Sequence, residues 1–176
     1  CGSPNEPGVR FCGECGTALE AAPARAQDTA GAERRLVSVL FADLVGFTTL
    51  SEGRDPEEVR ELLSQYFDLA RTLIARYGGT IEKFIGDAVM AVWGTPVARE
   101  DDAERAVRTA LDLVVAVAEL GEDAGSDVRL RAGVATGEAA VTLGAEGQGM
   151  VAGDLVNTAA RIQSTAEPGT VFVNDA

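Results

Sequence analysis

The chain has 176 residues, 46% of them apolar, which is enough for one folded domain with a sizeable core. Acids outnumber bases 28 to 15, a formal net charge of −13, which argues against a duplex-binding surface, and no nucleic acid is expected as a partner. There is no histidine, so imidazole acid–base chemistry and histidine metal ligation are excluded. No apolar run approaches the ~18 residues of a membrane span, so no membrane association is expected.

The first residue is Cys1, not methionine, and no secretory leader follows; this reads as a piece of something longer. All three cysteines fall in residues 1–17, where FCGECG places Cys12 and Cys15 in a C-x-x-C knuckle and Cys1-Gly2 looks like half of a second one. The segment resembles a partial zinc ribbon. Its structural Zn²⁺ would be held by Cys1, Cys12 and Cys15 if a fourth ligand is supplied from before residue 1. A redox pair is the competing reading, but no thioredoxin-like βαβ surrounds it, so zinc is preferred. The cysteine-free remainder suggests a reducing, cytoplasmic setting. Residues 18–33, rich in Ala and Pro without apolar period, read as a linker, and residues 34–176 as the main domain.

The main domain opens with a strand at 35–43. DPEEVRELLSQYFDLARTLIARYGG then repeats apolar residues at three- and four-residue steps, one face of a helix. Asp55 is its expected N-cap, with Pro56 in the first turn, Glu58 closing a capping box, and Gly78-Gly79 ending it. TIEKFIGDAVMAVWG breaks at Ile85-Gly86 into a hairpin. A second helix starts at Asp101 or Asp102. Strands are expected at DVRLRAGVATG and EAAVTLG, with a further candidate near GMVAG. The helix DLVNTAARIQSTAE leads through Pro168-Gly169 to a last strand, TVFVND. The order βαββαβ with extra strands is that of a ferredoxin-like α+β sandwich. Many unrelated functions share this topology.

Asp43 ends a mostly apolar strand, where an unpaired buried carboxylate is costly. Asp87 sits in the hairpin, whose strands should neighbour the first one. Two carboxylates on adjacent strands can hold Mg²⁺ or Mn²⁺ without histidine, because hard cations take oxygen ligands. Gly46 would let backbone approach closely, and Phe47-Thr48-Thr49 can turn N–H and hydroxyl groups toward phosphate oxygens. As turn acids, each aspartate would merely cap exposed N–H groups; taken as a pair, metal binding is the preferred reading.

FADLVGFT, EKFIGDAVMAVWG and GDLVNTAARIQ, in this order and on these elements, resemble the three signature motifs of the class III nucleotidyl cyclase catalytic domain. The resemblance covers residues 34–176. It implies that Asp43 and Asp87 bind two metal ions per site, Mg²⁺ or Mn²⁺, with help from the Leu44 carbonyl. Val45, Gly46, Phe47 and Thr48 would cradle the substrate phosphates. Lys83 stands where adenylate-making members read the adenine ring, which favours ATP. Asn157 would position the ribose, and Arg161 would stabilise charge building on the α-phosphate, a task suited to a guanidinium. The implied activity is adenylate cyclase, closing ATP to 3′,5′-cyclic AMP with release of pyrophosphate. The proton acceptor is left open among Asp43, a water and the substrate. The implied assembly is a head-to-tail homodimer, with metal aspartates from one subunit and Lys83, Asn157 and Arg161 from the other.

Two departures from the family pattern stand out. The second base-reading position falls on Met150, whose thioether is a poor partner for the adenine amino group. Family members also continue through further strands after the point corresponding to Ala176, and further C-terminal domains are expected. A degenerate domain that binds nucleotide or a partner without turnover is the alternative. A diguanylate cyclase is rejected, because its GG-[DE]-E-F hairpin is replaced here by FIGDAV.

Overall fold

The computed structural model describes residues 32–142 and 151–175. Cys1, Cys12, Cys15 and Met150, with the ribbon and most of the linker, lie outside them. The described chain runs β1 (Ala32–Val45), α1 (Phe47–Gly53), α2 (Pro56–Arg76), β2 (Thr80–Ile85), β3 (Ala88–Trp93), α3 (Asp102–Asp123), β4 (Arg129–Thr142), β5 (Val151–Ala152), α4 (Asp154–Thr165) and β6 (Val171–Val173). One six-stranded sheet has the order β2-β3-β1-β4-β5, and β6 also pairs with β4, in parallel. This is the expected α+β sandwich.

Alternation along the strands sorts the side chains onto two faces. Leu40, Ala42 and Leu44 of β1 join Val89, Ala91 and Trp93 of β3 in the core beneath α2 and α3. Val37, Val39 and Phe41 join Met90 and Val92 in a second core beneath α4. Helix α2 meets the first core with Leu62, Tyr66, Ala70, Leu73 and Ile74, the face read from its periodicity. Asp55 caps it by accepting from the Glu57 N–H at 2.9 Å; the reciprocal Glu58 bond of a capping box is not among the hydrogen bonds of the described residues. At the other end Gly79 N–H donates to the Ile74 carbonyl at 2.9 Å, and the Trp93 indole N–H donates to the Tyr77 carbonyl at 3.1 Å.

Three local expectations are corrected. DVRLRAGVATG and EAAVTLG form one continuous strand, β4, because it pairs with β1 without a break from Val45↔Arg129 to Ala32↔Thr142. Gly137 therefore does not turn the chain; a side chain there would come within 3.1 Å of Leu155 Cδ1, so the glycine makes room for α4. β1 begins at Ala32, inside the stretch read as linker. The segment after Gly46, for which no element was expected, continues into the short helix α1.

Helix α4 approaches the sheet most closely over Gly133. A Cβ at this position would collide with the Gln163 backbone N and lie 2.8 Å from the Ala159 carbonyl oxygen. Neither obstacle is a flexible side-chain end, so α4 itself must move. Gly133→Ala should therefore destabilise the fold by about 1–3 kcal/mol in urea unfolding. Gly53→Ala, where a Cβ meets nothing within 4 Å, should not.

Candidate active site

Asp43 is the last polar side chain of β1, set between the buried Ala42 and Leu44. By alternation it shares the α4 face with Val39 and Phe41. Directly across from it on β4 is Arg131. The Arg131 guanidinium donates to Asp43 Oδ2 from NH2 at 2.8 Å and from Nε at 3.3 Å. Gln163 of α4, itself buried, donates from Nε2 to the same oxygen at 3.3 Å. Three donors thus converge on Oδ2, and among the described residues none reaches Oδ1.

Asp87 occupies the two-residue turn between β2 and β3, after Gly86 at φ +62°. Glycine at the first central position with positive φ is what the II′ class of hairpin turn requires. Burial pushes the Asp87 carboxyl up from its ordinary range, and the Asp43 charge adds to the rise. Its own backbone N–H and the charge of Arg131 pull the other way. Asp87 therefore senses the charge of Asp43, and Arg131 is bonded to the one and bears on the other. Tyr66, on the opposite face of the sheet, is raised well above the ordinary phenol range by burial first and then by the same two charges.

Arg131 and Gln163 were not singled out from the sequence. Arg131 carried a usable signal: in RLRAG, Leu130 and Ala132 point to the core, which leaves Arg131 on the other face of a strand. Its partner, 88 residues away, depends on the register of β1 against β4, which no local pattern specifies.

The other candidates divide. Leu44 and Val45 close β1, and Gly46, at φ +85°, turns the chain into α1, which begins at Phe47 and Thr48. These five positions follow Asp43 directly, and a helix start leaves its first N–H groups without intrahelical partners. Lys83 lies on β2 opposite Met90, half-buried, and makes no ion pair with either aspartate. Asn157 and Arg161 are exposed on α4. The helix buries Leu155, Ala159 and Gln163, so Asn157 and Arg161 lie about 200° around it from Ala159 and Gln163. The structure thus brings Asp43, Asp87, Arg131 and Gln163 together, and turns Asn157 and Arg161 away from them.

No group of three or more Asp, Glu, Cys or His side chains forms a cation cage among the described residues. The donor set still fits Mg²⁺ or Mn²⁺. Asp43 Oδ1 has no donor among the described residues, and two carboxylates repel each other across a half-buried site that a cation would relieve. Mg²⁺ in particular is commonly held by one or two carboxylates together with substrate phosphates.

Residues 31–176 match the adenylate and guanylate cyclase catalytic domain family, and the chain belongs to it. It is 43% identical over 141 residues to Adenylate cyclase 1 of Rhizobium meliloti, covering 74% of this chain and 21% of that protein. It is 36% identical over 142 residues to an adenylate cyclase of Mycobacterium tuberculosis, covering 78% of this chain and 32% of that one. Among solved structures, the adenylyl cyclase CyaB from P. aeruginosa superposes with a TM-score of 0.75 at 31% identity, over 80% of this chain and 77% of that one. The guanylyl cyclase Cya2 superposes with a TM-score of 0.73 at 36% identity, over 81% and 76%. The chain therefore spans about a fifth to a third of the length of these two curated relatives.

The raised Asp87 carboxyl has a consequence for stability. A group whose folded pKa lies above its unfolded value favours the fold while protonated, and that contribution is lost as pH rises through the folded pKa. At neutral pH the ionised Asp87 thus works against the fold. In metal-free buffer Asp87→Asn should raise the melting temperature at pH 7, and the gain should fade in acid, where both forms of the wild type carry the proton. A melting curve that is lower for Asp87→Asn at pH 7 would contradict this.

Proposed function

We propose that the chain is the catalytic domain of an adenylate cyclase, converting ATP to 3′,5′-cyclic AMP and pyrophosphate at the interface of a head-to-tail homodimer. The observation that carries this reading is the phase of α4. Asp43 and Asp87 lie at one end of the sheet, whereas Asn157 and Arg161 face outward on the helix that packs against it. One chain holds both halves of a cyclase site but does not bring them together; a second copy can, and a two-fold pairing would make two equivalent sites.

In this reading the ribose 3′-oxygen attacks the α-phosphorus. The bond from that phosphorus to the bridging oxygen of pyrophosphate breaks, and the 3′-hydroxyl proton passes to an acceptor that the residues do not single out. Asp43 and Asp87, with the Leu44 carbonyl, would hold Mg²⁺ or Mn²⁺, which when bound supplies Lewis-acid polarisation of the reacting oxygens. Val45 to Thr48 would receive phosphate oxygens with backbone N–H groups and the Thr48 hydroxyl. Arg131, beside both aspartates, adds a fixed cation where a polyphosphate would lie. The partner copy would bring Asn157 to the ribose and Arg161 to the charge developing on the α-phosphate. Lys83 supports ATP over GTP, as do the adenylate cyclase relatives; Met150 leaves shape and Lys83 to make the choice. Given the length of the relatives, the domain would serve a larger cytoplasmic signalling protein.

The test is cyclic nucleotide formed from ATP, and separately from GTP, with Mn²⁺ or Mg²⁺. Asp43→Ala and Arg161→Ala should each lower the rate on the order of 100-fold or more, the loss of several kcal/mol of transition-state stabilisation. Mixed in equal amounts, the two inactive variants should recover about a quarter of wild-type activity, because half the dimers are mixed and each has one intact site. A dimeric wild type that forms no cyclic product would sink the cyclase reading. Active wild type with a silent mixture would sink the shared site.

A further inference from the structure

Asp43 is held in an asymmetric way. Both Arg131 bonds and the Gln163 bond go to Oδ2. Arg131 arrives from the neighbouring strand and Gln163 from α4, so the carboxylate is gripped from two directions. Gripping one oxygen from two sides fixes the plane of the group and leaves the other oxygen directed away.

The Gln163 contact is built into the packing. The residue is 9% exposed, and its backbone rests on Gly133, where even a methyl group would displace it. Gln163 continues the buried row Leu155, Ala159 of α4, so it cannot swing out without unseating the helix. A neutral amide here donates to the carboxylate without adding a second negative charge next to Asp87. An apolar residue would fill the same space and would leave Oδ2 to Arg131 alone.

We propose that Gln163 is a positioning residue for the cation site: with Arg131 it grips Oδ2 of Asp43 and so presents Oδ1 to the divalent ion. This rests on the reading of Asp43 as a metal-holding carboxylate. The role differs from that of Asn157 and Arg161 on the same helix, because Gln163 serves the aspartate of its own chain. Residues that orient a ligand in this way typically change metal affinity by about 10- to 100-fold when removed.

The experiment uses the full chain and Mn²⁺ alone, without nucleotide. Free Mn²⁺ is followed by electron paramagnetic resonance through the millimolar range, for wild type, Gln163→Met and Gln163→Asn. Met keeps an unbranched stem of similar length but has no donor; Asn keeps the amide but is one methylene short of Asp43. Both should bind Mn²⁺ about tenfold more weakly. In turnover the loss should appear as a higher Mn²⁺ requirement, with the maximal rate at saturating Mn²⁺ much less affected. A purely structural role predicts a different pattern, with lower melting temperature in metal-free buffer and unchanged Mn²⁺ affinity. Wild-type affinity in whichever variant folds overturns the proposal, as does a wild-type chain that binds no Mn²⁺. If wild type binds Mn²⁺ but makes no cyclic nucleotide, the cyclase reading fails while the Gln163 comparison is still decided by affinity.

Discussion

Two carboxylates at one end of an apolar sheet repel each other and resist desolvation, and the architecture around them answers both problems. Arg131 bonds to Asp43, and its charge reaches Asp87. Yet one guanidinium does not neutralise two partly buried acids, and Asp87 remains raised by burial and by its neighbour. Such an unrelieved concentration of negative charge is poor design for stability alone. In the proposed reading a divalent cation would complete it, and sites with a perturbed carboxylate of this kind are where function concentrates.

That electrostatic arrangement depends on the register of the sheet. β1 and β4 pair through fourteen residues each, which is long for two strands, and the pairing puts Asp43 opposite Arg131. A slip of one residue would send Arg131 to the α2 and α3 face, into a core of Leu40, Ala42 and Leu130. The hydrophobic alternation that makes the fold stable is thus the same feature that aligns the ion pair. Gly133 and Gly137 act at a second level, letting α4 approach closely enough for Gln163 to reach the aspartate.

This explains which parts were legible in the sequence. Helix α2 announced itself through apolar spacing and its Asp55 cap, and the hairpin through Gly86-Asp87, because both signals are local. Asp43 was visible as an acid ending an apolar run, and α4 through its motif. The unbroken β4 was not, since Thr136-Gly137-Glu138 has the composition of a turn and only the partner strand and Leu155 show otherwise. Helix α1 was hidden because FTTLSEG lacks the length for a period to show. The Asp43–Arg131–Gln163 cluster joins three elements that are remote in sequence, and such contacts are set by tertiary packing alone.

Helix α4 then links these observations. Its inner row, Leu155, Ala159 and Gln163, is committed to its own sheet, and its last member touches Asp43. Its outer residues, Asn157 and Arg161, cannot turn toward the same aspartate without pulling that row out of the core. A rigid helix that is fixed by one face can serve chemistry with the other only toward a second molecule. In a two-fold dimer each α4 would therefore steady the carboxylate of one site and supply the guanidinium of the next. The two sites would be mechanically joined through a single helix, with Gln163 at one end of the connection and Arg161 half a turn away.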